Sequence, residues 1–233
     1  MKILAIESSA KAASCALCTD GELTAQYWQC CGLTHSRTLL SMVEDMLCNL
    51  EMTVDDVDVI AVAKGPGSFT GIRIGVAAAK GLADVKKIPV CGTSTLESMA
   101  YNLVDIDCIA CCVMDARCNQ VYNAIFDITD GKITRLTPDN ADSIENVTEE
   151  LKKYKKIKFF VGDGAEICYN KLNGDSDIRI AAPSDRFQSA VGVCFCAMNA
   201  SRDQYIDSAL LVPEYLRLPQ AERELNKKLS KGV

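Results

Sequence analysis

The chain has 233 residues, of which 48% are hydrophobic, with a net charge of −6 and 13 cysteines. That length holds one large or two small domains around a real apolar core. The acidic balance excludes a chain that grips nucleic acid alone, because such binding rests on Lys and Arg neutralising phosphates.

In chain order, Lys2–Glu7 and Ala13–Thr19 read as strands, Asp20-Gly21 as a hairpin turn, and Glu22–Gln29 as the returning strand. A helix follows from His35 to about Leu50. Thr53 and Asp56 form a capping box ahead of an apolar strand, Val57–Ala63. The segment Lys64-Gly65-Pro66-Gly67-Ser68 is a tight turn into a helix that runs to Asp84, with Ser68 or Thr70 as cap. A strand, a Gly-rich turn and a helix in that order can aim free backbone N–H groups at one point, and an ordinary capped turn explains the residues equally well. A G-x-x-x-x-G-K-[ST] phosphate loop does not fit, since Ile72-Arg73 follows Gly71. Ile88–Cys91 is a short strand and Thr93–Asn102 a helix capped by Thr93 or Ser94.

The pattern then restarts. Asp107–Met114, Gln120–Asp127 and Lys132–Leu136 read as strands, with Asp130-Gly131 turning the last hairpin. Ser143–Lys155 is a polar helix, Ile157–Val161 a strand, and Gly162-Asp163-Gly164 opens a helix to about Leu172. Gln188–Ser201 is a Cys- and Ala-rich helix that reads as buried. Each half begins with an antiparallel meander and then alternates helix and strand, which predicts an α/β protein of two similar lobes with a cleft between them. The boundary is expected near Leu103–Asp107, giving lobes 1–104 and 105–233. The locally basic tail Arg223–Lys231 reads as a solvated helix end. No run is apolar for long enough to span a membrane, and Met1–Ile6 meets Glu7 too soon for a signal-peptide core, so a cytoplasmic location is expected.

The cysteines fit a reducing compartment, where thiols serve as small hydrophobes. Cys15/Cys18 and Cys108/Cys111 have the Cys-x-x-Cys spacing of a zinc site. Both pairs sit in strands, where residues three apart point to opposite faces, so core packing is the reading that fits.

Two helices carry more apolar surface than one sheet face needs. On His35–Leu50, the residues Leu39, Val43, Met46, Leu47 and Leu50 follow helical spacing, flanked by Leu40 and Met42. The edges, Met42 with Met46 and Leu40 with Leu47, are expected to face either a second protein or a neighbouring helix of the chain. On Thr70–Asp84, a core stripe of Ile72, Val76, Ala79 and Ala83 lies beside a small-residue stripe of Gly71, Gly75, Ala78 and Leu82. Helix-interior glycine costs up to about 1 kcal/mol relative to alanine, so two on one face imply a close neighbour, a helix of this chain or of a partner.

Several blocks in order resemble the bacterial TsaB (YeaZ) family. They are Met1-Lys2-Ile3-Leu4-Ala5-Ile6-Glu7-Ser8-Ser9, Thr34-His35-Ser36, the run Lys64 to Gly75, Asp115-Ala116-Arg117 with Val121-Tyr122, and Pro213-Glu214-Tyr215-Leu216-Arg217. The resemblance spans essentially the whole chain, and the Gly-Pro-Gly-Ser-Phe-Thr-Gly-x-Arg-x-Gly block is its most specific part. It implies the two-lobed fold of sugar kinases, heat-shock ATPases and actin, built from ribonuclease H-like repeats. It further implies a non-catalytic subunit that pairs with its sister TsaD, works with the ATPase TsaE, and can also pair with itself. Together these proteins move threonylcarbamoyl from its adenylate onto the adenosine beside a tRNA anticodon, and this chain meets tRNA only through the complex.

Pairing through first-lobe helices fits the two helices read above, so the expected interface is Leu40, Met42, Met46, Leu47, Gly71, Gly75, Ala78 and Leu82, and Gly75→Leu is expected to abolish pairing. The sister's metal segment reads His-Leu-Glu-Gly-His, and the matching residues here are Thr95-Leu96-Glu97-Ser98-Met99. Thr95 and Met99 stand where imidazoles would be, and Lys11 stands where the sister carries an acid. No catalytic residue, metal or cofactor is therefore expected, and ATP or Mg²⁺ should bind weakly or not at all. His35, the one histidine, reads as a capping or solvent-facing residue. The first alternative is a nucleotide-binding phosphotransferase or ATPase of the same superfold, which would need Glu7, Asp115 and Asp163 to hold Mg²⁺. The second is a glycoprotease-like peptidase, whose base would have to be His35.

Overall fold

The computed structural model describes residues 1–172 and 177–217, so the basic tail 223–231 lies outside the described residues. Strands β1 (Lys2–Glu7), β2 (Ala13–Thr19), β3 (Glu22–Gln29), β4 (Val59–Gly65) and β5 (Val90–Ser94) form a five-stranded sheet in the order β3-β2-β1-β4-β5. β1, β2 and β3 are antiparallel neighbours, whereas β1, β4 and β5 run parallel. The second sheet contains β6 (Cys108–Asp115), β7 (Gln120–Thr129), β8 (Lys132–Arg135), β9 (Asn140–Ser143), β10 (Lys158–Val161) and β11 (Ile178–Ile180). Its order is β11-β10-β6-β7-β8, with β9 also on β7. The antiparallel hairpins and parallel pairs recur in the same places, so the repeat read from the sequence exists as topology.

Among the described residues, six α-helices cover the sheets: α1 (His35–Asn49), α2 (Phe69–Asp84), α3 (Thr95–Ala100), α4 (Ile144–Leu151), α5 (Ala165–Lys171) and α6 (Ala190–Asn199). α1 and α2 close one face of the first sheet, and α6 closes the other. α3 and its following turn pack on one face of the second sheet, with α4 and α5 on the opposite face. The chain thus trades helices. α3 follows the first sheet but covers the second, α6 follows the second but covers the first, and the two touch in the middle.

Local signals placed most ends. The Thr53–Asp56 capping box is formed, Ser68 caps α2 by accepting from Gly71 N–H at 3.3 Å, and Ser94 caps α3. The helix expected to reach Lys155 stops at Leu151, because the lysine-rich continuation has no apolar stripe to bury. β9 and β11 escaped the sequence reading: Asn140-Ala141-Asp142-Ser143 is polar, and β11 is only three residues long. The Cys-x-x-Cys pairs divide as strand geometry requires. Cys15 enters the core under α1 while Cys18 enters the core under α6. Cys108 and Cys111 likewise face opposite sides of β6. Burial pushes the Cys15 thiol up to about 12 and Cys111 well above the ordinary thiol value.

Candidate functional site

Five connections meet where the two sheets present their ends. They are the turn after β1 (Ser9, Ala10, Lys11), the Gly67–Thr70 entry to α2, the turn after β6 (Asp115, Ala116, Arg117), the turn after β10 (Asp163), and the segment 214–217. They enclose a cleft of about 640 Å³. The floor is tied together by Ser68 N–H donating to the Ser9 carbonyl at 2.6 Å. The Gly65–Pro66 bond is cis, and Gly65 holds φ +136°, a region that L side chains avoid. A Cβ on Gly65 would lie 2.2 Å from the Glu214 carbonyl oxygen, so glycine is what lets the later segment cross the turn.

Asp115 and Asp163 do meet: the Asp115 N–H donates to the Asp163 carboxylate at 3.3 Å. Burial raises Asp163 above the usual carboxylate range, against the opposing pull of that hydrogen bond and of Lys11. Glu7 lies inside the fold rather than on the cleft wall, with no exposed surface. Burial drives its carboxyl to about 7, although Ser9 N–H donates to Oε1 at 2.5 Å. Its Oε2 has no partner. Among the described residues, no three His, Cys, Asp or Glu side chains converge as a cation set. Thr95 and Met99 are wholly buried, Met99 in the core of the second sheet. Lys11 lines the cleft rim.

The expected interface residues divide. Leu40 is 51% exposed on the outer side of α1. Ala78 and Leu82 are half-buried at the edge of the core formed by α1, α2 and the first sheet. Met42, Met46 and Leu47 lie buried against the first sheet, with Cys15 Sγ 3.9 Å from Met46 Sδ. Gly71 and Gly75 are buried on the inner side of α2. The close neighbour they make room for is the turn after β1. A Cβ on Gly71 would lie 2.2 Å from the Ser8 carbonyl oxygen, and one on Gly75 would lie 2.5 Å from Ser8 Oγ. Ser8 Oγ in turn donates to the Gly71 carbonyl at 2.9 Å. Helical spacing revealed the stripe but not its occupant. His35 is corrected: its Nε2 lies 2.7 Å from the Ala10 carbonyl, so the ring ties α1 to the cleft turn, and its Nδ1 is buried without a partner.

Sequence reasoning assigned no role to two groupings. Arg73 stacks 3.9 Å over the Phe69 ring and donates from Nε to Tyr215 Oη at 2.8 Å, while Tyr215 packs 4.7 Å from Phe69. Arg135 pairs with Glu97 and Asp139, lies over the Phe126 ring, and lines a second cavity of about 460 Å³ beside Glu214. Phe69 with Arg73 and Arg135 with Asp139 are four residues apart, but Tyr215, Glu97 and Phe126 come from distant parts of the chain, which no local pattern links to them.

This architecture is that of the actin-like ATPase superfold. The activator component A of (R)-2-hydroxyglutaryl-CoA dehydratase from Acidaminococcus fermentans shares the fold, with a TM-score of 0.50 at 13% identity over 88% of this chain and 99% of that one. A family model described as "TsaD: tRNA N6-adenosine threonylcarbamoyltransferase" matches residues 30–227. The tRNA threonylcarbamoyladenosine biosynthesis protein TsaB of Bacillus subtilis (strain 168) is 32% identical over 226 residues, 95% of this chain and 96% of that protein. A Pseudomonas aeruginosa crystal structure, described as similar to peptidase YeaZ, superposes with a TM-score of 0.81 at 25% identity, over 93% of this chain and 99% of that one. The chain belongs to the TsaB (YeaZ) family of tRNA threonylcarbamoyladenosine biosynthesis proteins.

Proposed function

We propose that this chain is the non-catalytic partner subunit of a tRNA threonylcarbamoyltransferase complex, and that it supports a catalytic sister of the TsaD type. One observation carries the reading: the positions where the sister carries imidazoles hold Thr95 and Met99, both sealed inside the protein. A neutral hydroxyl and a thioether are poor ligands for a hard or borderline divalent metal, and neither side chain has surface exposed to the cleft. The peptidase alternative would need a base that meets substrate, whereas His35 Nε2 is tied to the Ala10 carbonyl and its Nδ1 is buried. The phosphotransferase alternative would need a cation set, for which Asp115 and Asp163 stand without Glu7, whose carboxyl is buried.

In this proposal the two lobes divide at 104/105. The docking surface is the outer side of α1 and α2, with Leu40, Ala78 and Leu82 at its centre, and the same surface serves a homodimer when the sister is absent. A TsaE-type ATPase joins the assembly, and tRNA is contacted through the complex. We assign the chain to the cytoplasm; among the described residues no helix is long and apolar enough to cross a membrane. The test is to mix this chain with its cognate sister and ATPase and to measure tRNA modification with each component omitted. Modification must require this chain, and this chain without the sister must give none. Product formed by this chain alone would overturn the proposal.

A further inference from the structure

Residues 213–217 cross from one sheet's elements to the other's at the mouth of the cleft. At the first sheet they are anchored three ways. Glu214 N–H donates to the Lys64 carbonyl at 2.8 Å, the Glu214 carboxylate pairs with Lys64 Nζ at 3.3 Å, and Tyr215 is held by Phe69 and Arg73 of α2. At the second sheet, Arg217 Nη1 donates to the Ala116 carbonyl at 2.6 Å. Ala116 opens a turn in which Arg117, Cys118 and Asn119 hold φ of 62°, 56° and 58°. Three successive non-glycine residues in the left-handed region form a turn that persists only where its surroundings hold it. Asn119 is held by Glu145, Arg117 N–H by the Asp115 carboxylate, and Ala116 by the guanidinium of Arg217. Gly65 leaves the space this segment occupies, since any side chain there would meet the Glu214 backbone.

We propose that residues 213–217 are a strap that clamps the two sheets across the cleft, and that the cleft widens only when Arg217 leaves Ala116. The strap is short and bound at both ends, so its contacts are coupled: loosening either end frees the other. Such a segment lines the cleft and sets how far the halves move apart. The inference is independent of the proposed partner and would stand if the chain proved catalytic.

Hydrogen exchange of the full-length chain, read peptide by peptide, tests it. Arg217→Ala cuts the second-sheet anchor and Tyr215→Ala cuts one on the first sheet. Both variants are expected to raise exchange by at least about threefold in peptides covering 115–120 and 64–69, while β1 and β6 stay protected. Arg217→Lys keeps a donor and is expected to restore most of the protection. A rise confined to 213–217 in both variants would overturn the proposal, as would a Tyr215→Ala chain with wild-type exchange at 115–120. If Arg217→Ala fails to fold, Arg217→Gln, whose amide is too short to reach Ala116, is read in the same way.

Discussion

Glu7 makes stability fall as the pH rises from about 4.5 to about 7. It is completely buried at the end of β1, opposite Ser14. Burial penalises the ionised form, and the hydrogen bonds from Ser9 and Ser8 offset only part of that penalty, with Oε2 left without a close partner. The carboxyl is raised from its ordinary 4.5 to about 7. The sign follows from linkage: between those values the folded chain holds a proton that the unfolded chain has lost, so stability falls as pH rises. The stabilisation is complete below about 4.5 and gone above about 7. At 1.36 kcal/mol per pKa unit, the span amounts to about 3 kcal/mol, an upper figure for a group in this environment. Glu7→Gln keeps the shape and an unionised oxygen for Ser9, and has no proton to lose. Urea melts of both chains at pH 5, 6, 7 and 8 provide the assay. Comparing the two chains cancels every other titrating group. The variant's stability relative to the wild type should grow by about 2–3 kcal/mol between pH 5 and pH 8. Two stability curves parallel to within about 0.5 kcal/mol over this range would refute the reasoning.

Gly71→Ala should lower stability by about 1–3 kcal/mol in chemical denaturation, because the added methyl meets the Ser8 backbone rather than a yielding side chain. Gly75→Leu should likewise fail through misfolding, seen as loss of the melting transition, before any effect on partner binding can be read. Leu40→Asp should leave stability within about 0.5 kcal/mol of wild type, since the side chain is half exposed. It should weaken co-elution with the sister subunit on size exclusion, and an unchanged complex would remove Leu40 from the docking surface. Under native conditions a thiol reagent should label four cysteines, Cys30, Cys31, Cys48 and Cys118. The other nine should react only after unfolding, as mass spectrometry of digested protein would show.

Local chemistry carried much of the fold. Asp20-Gly21 and Asp130-Gly131 adopt the positive φ values their hairpins need, and continuous runs of small apolar residues and cysteines form the central strands, buried on both faces. Helix caps at Ser68, Ser94 and Ser143 are likewise local, since each hydroxyl serves an N–H two or three residues on. These features depend on neighbours in the chain, so the amino-acid order by itself determined two repeated α/β halves and the strand–turn–helix at Gly65–Ser68. Periodicity could say that α1 and α2 have wide apolar arcs, but not what fills them. Met46 and Gly75 meet the chain's own sheet and the Ser8 turn, contacts set by how elements pack. Only the tertiary structure decided that α3 and α6 exchange sheets, that Glu7 lies sealed while Asp115 and Asp163 meet, and that residues 213–217 bridge the cleft. Each of these depends on groups tens of positions apart, and their meeting is fixed by shape and burial over the whole chain, which no window of sequence contains.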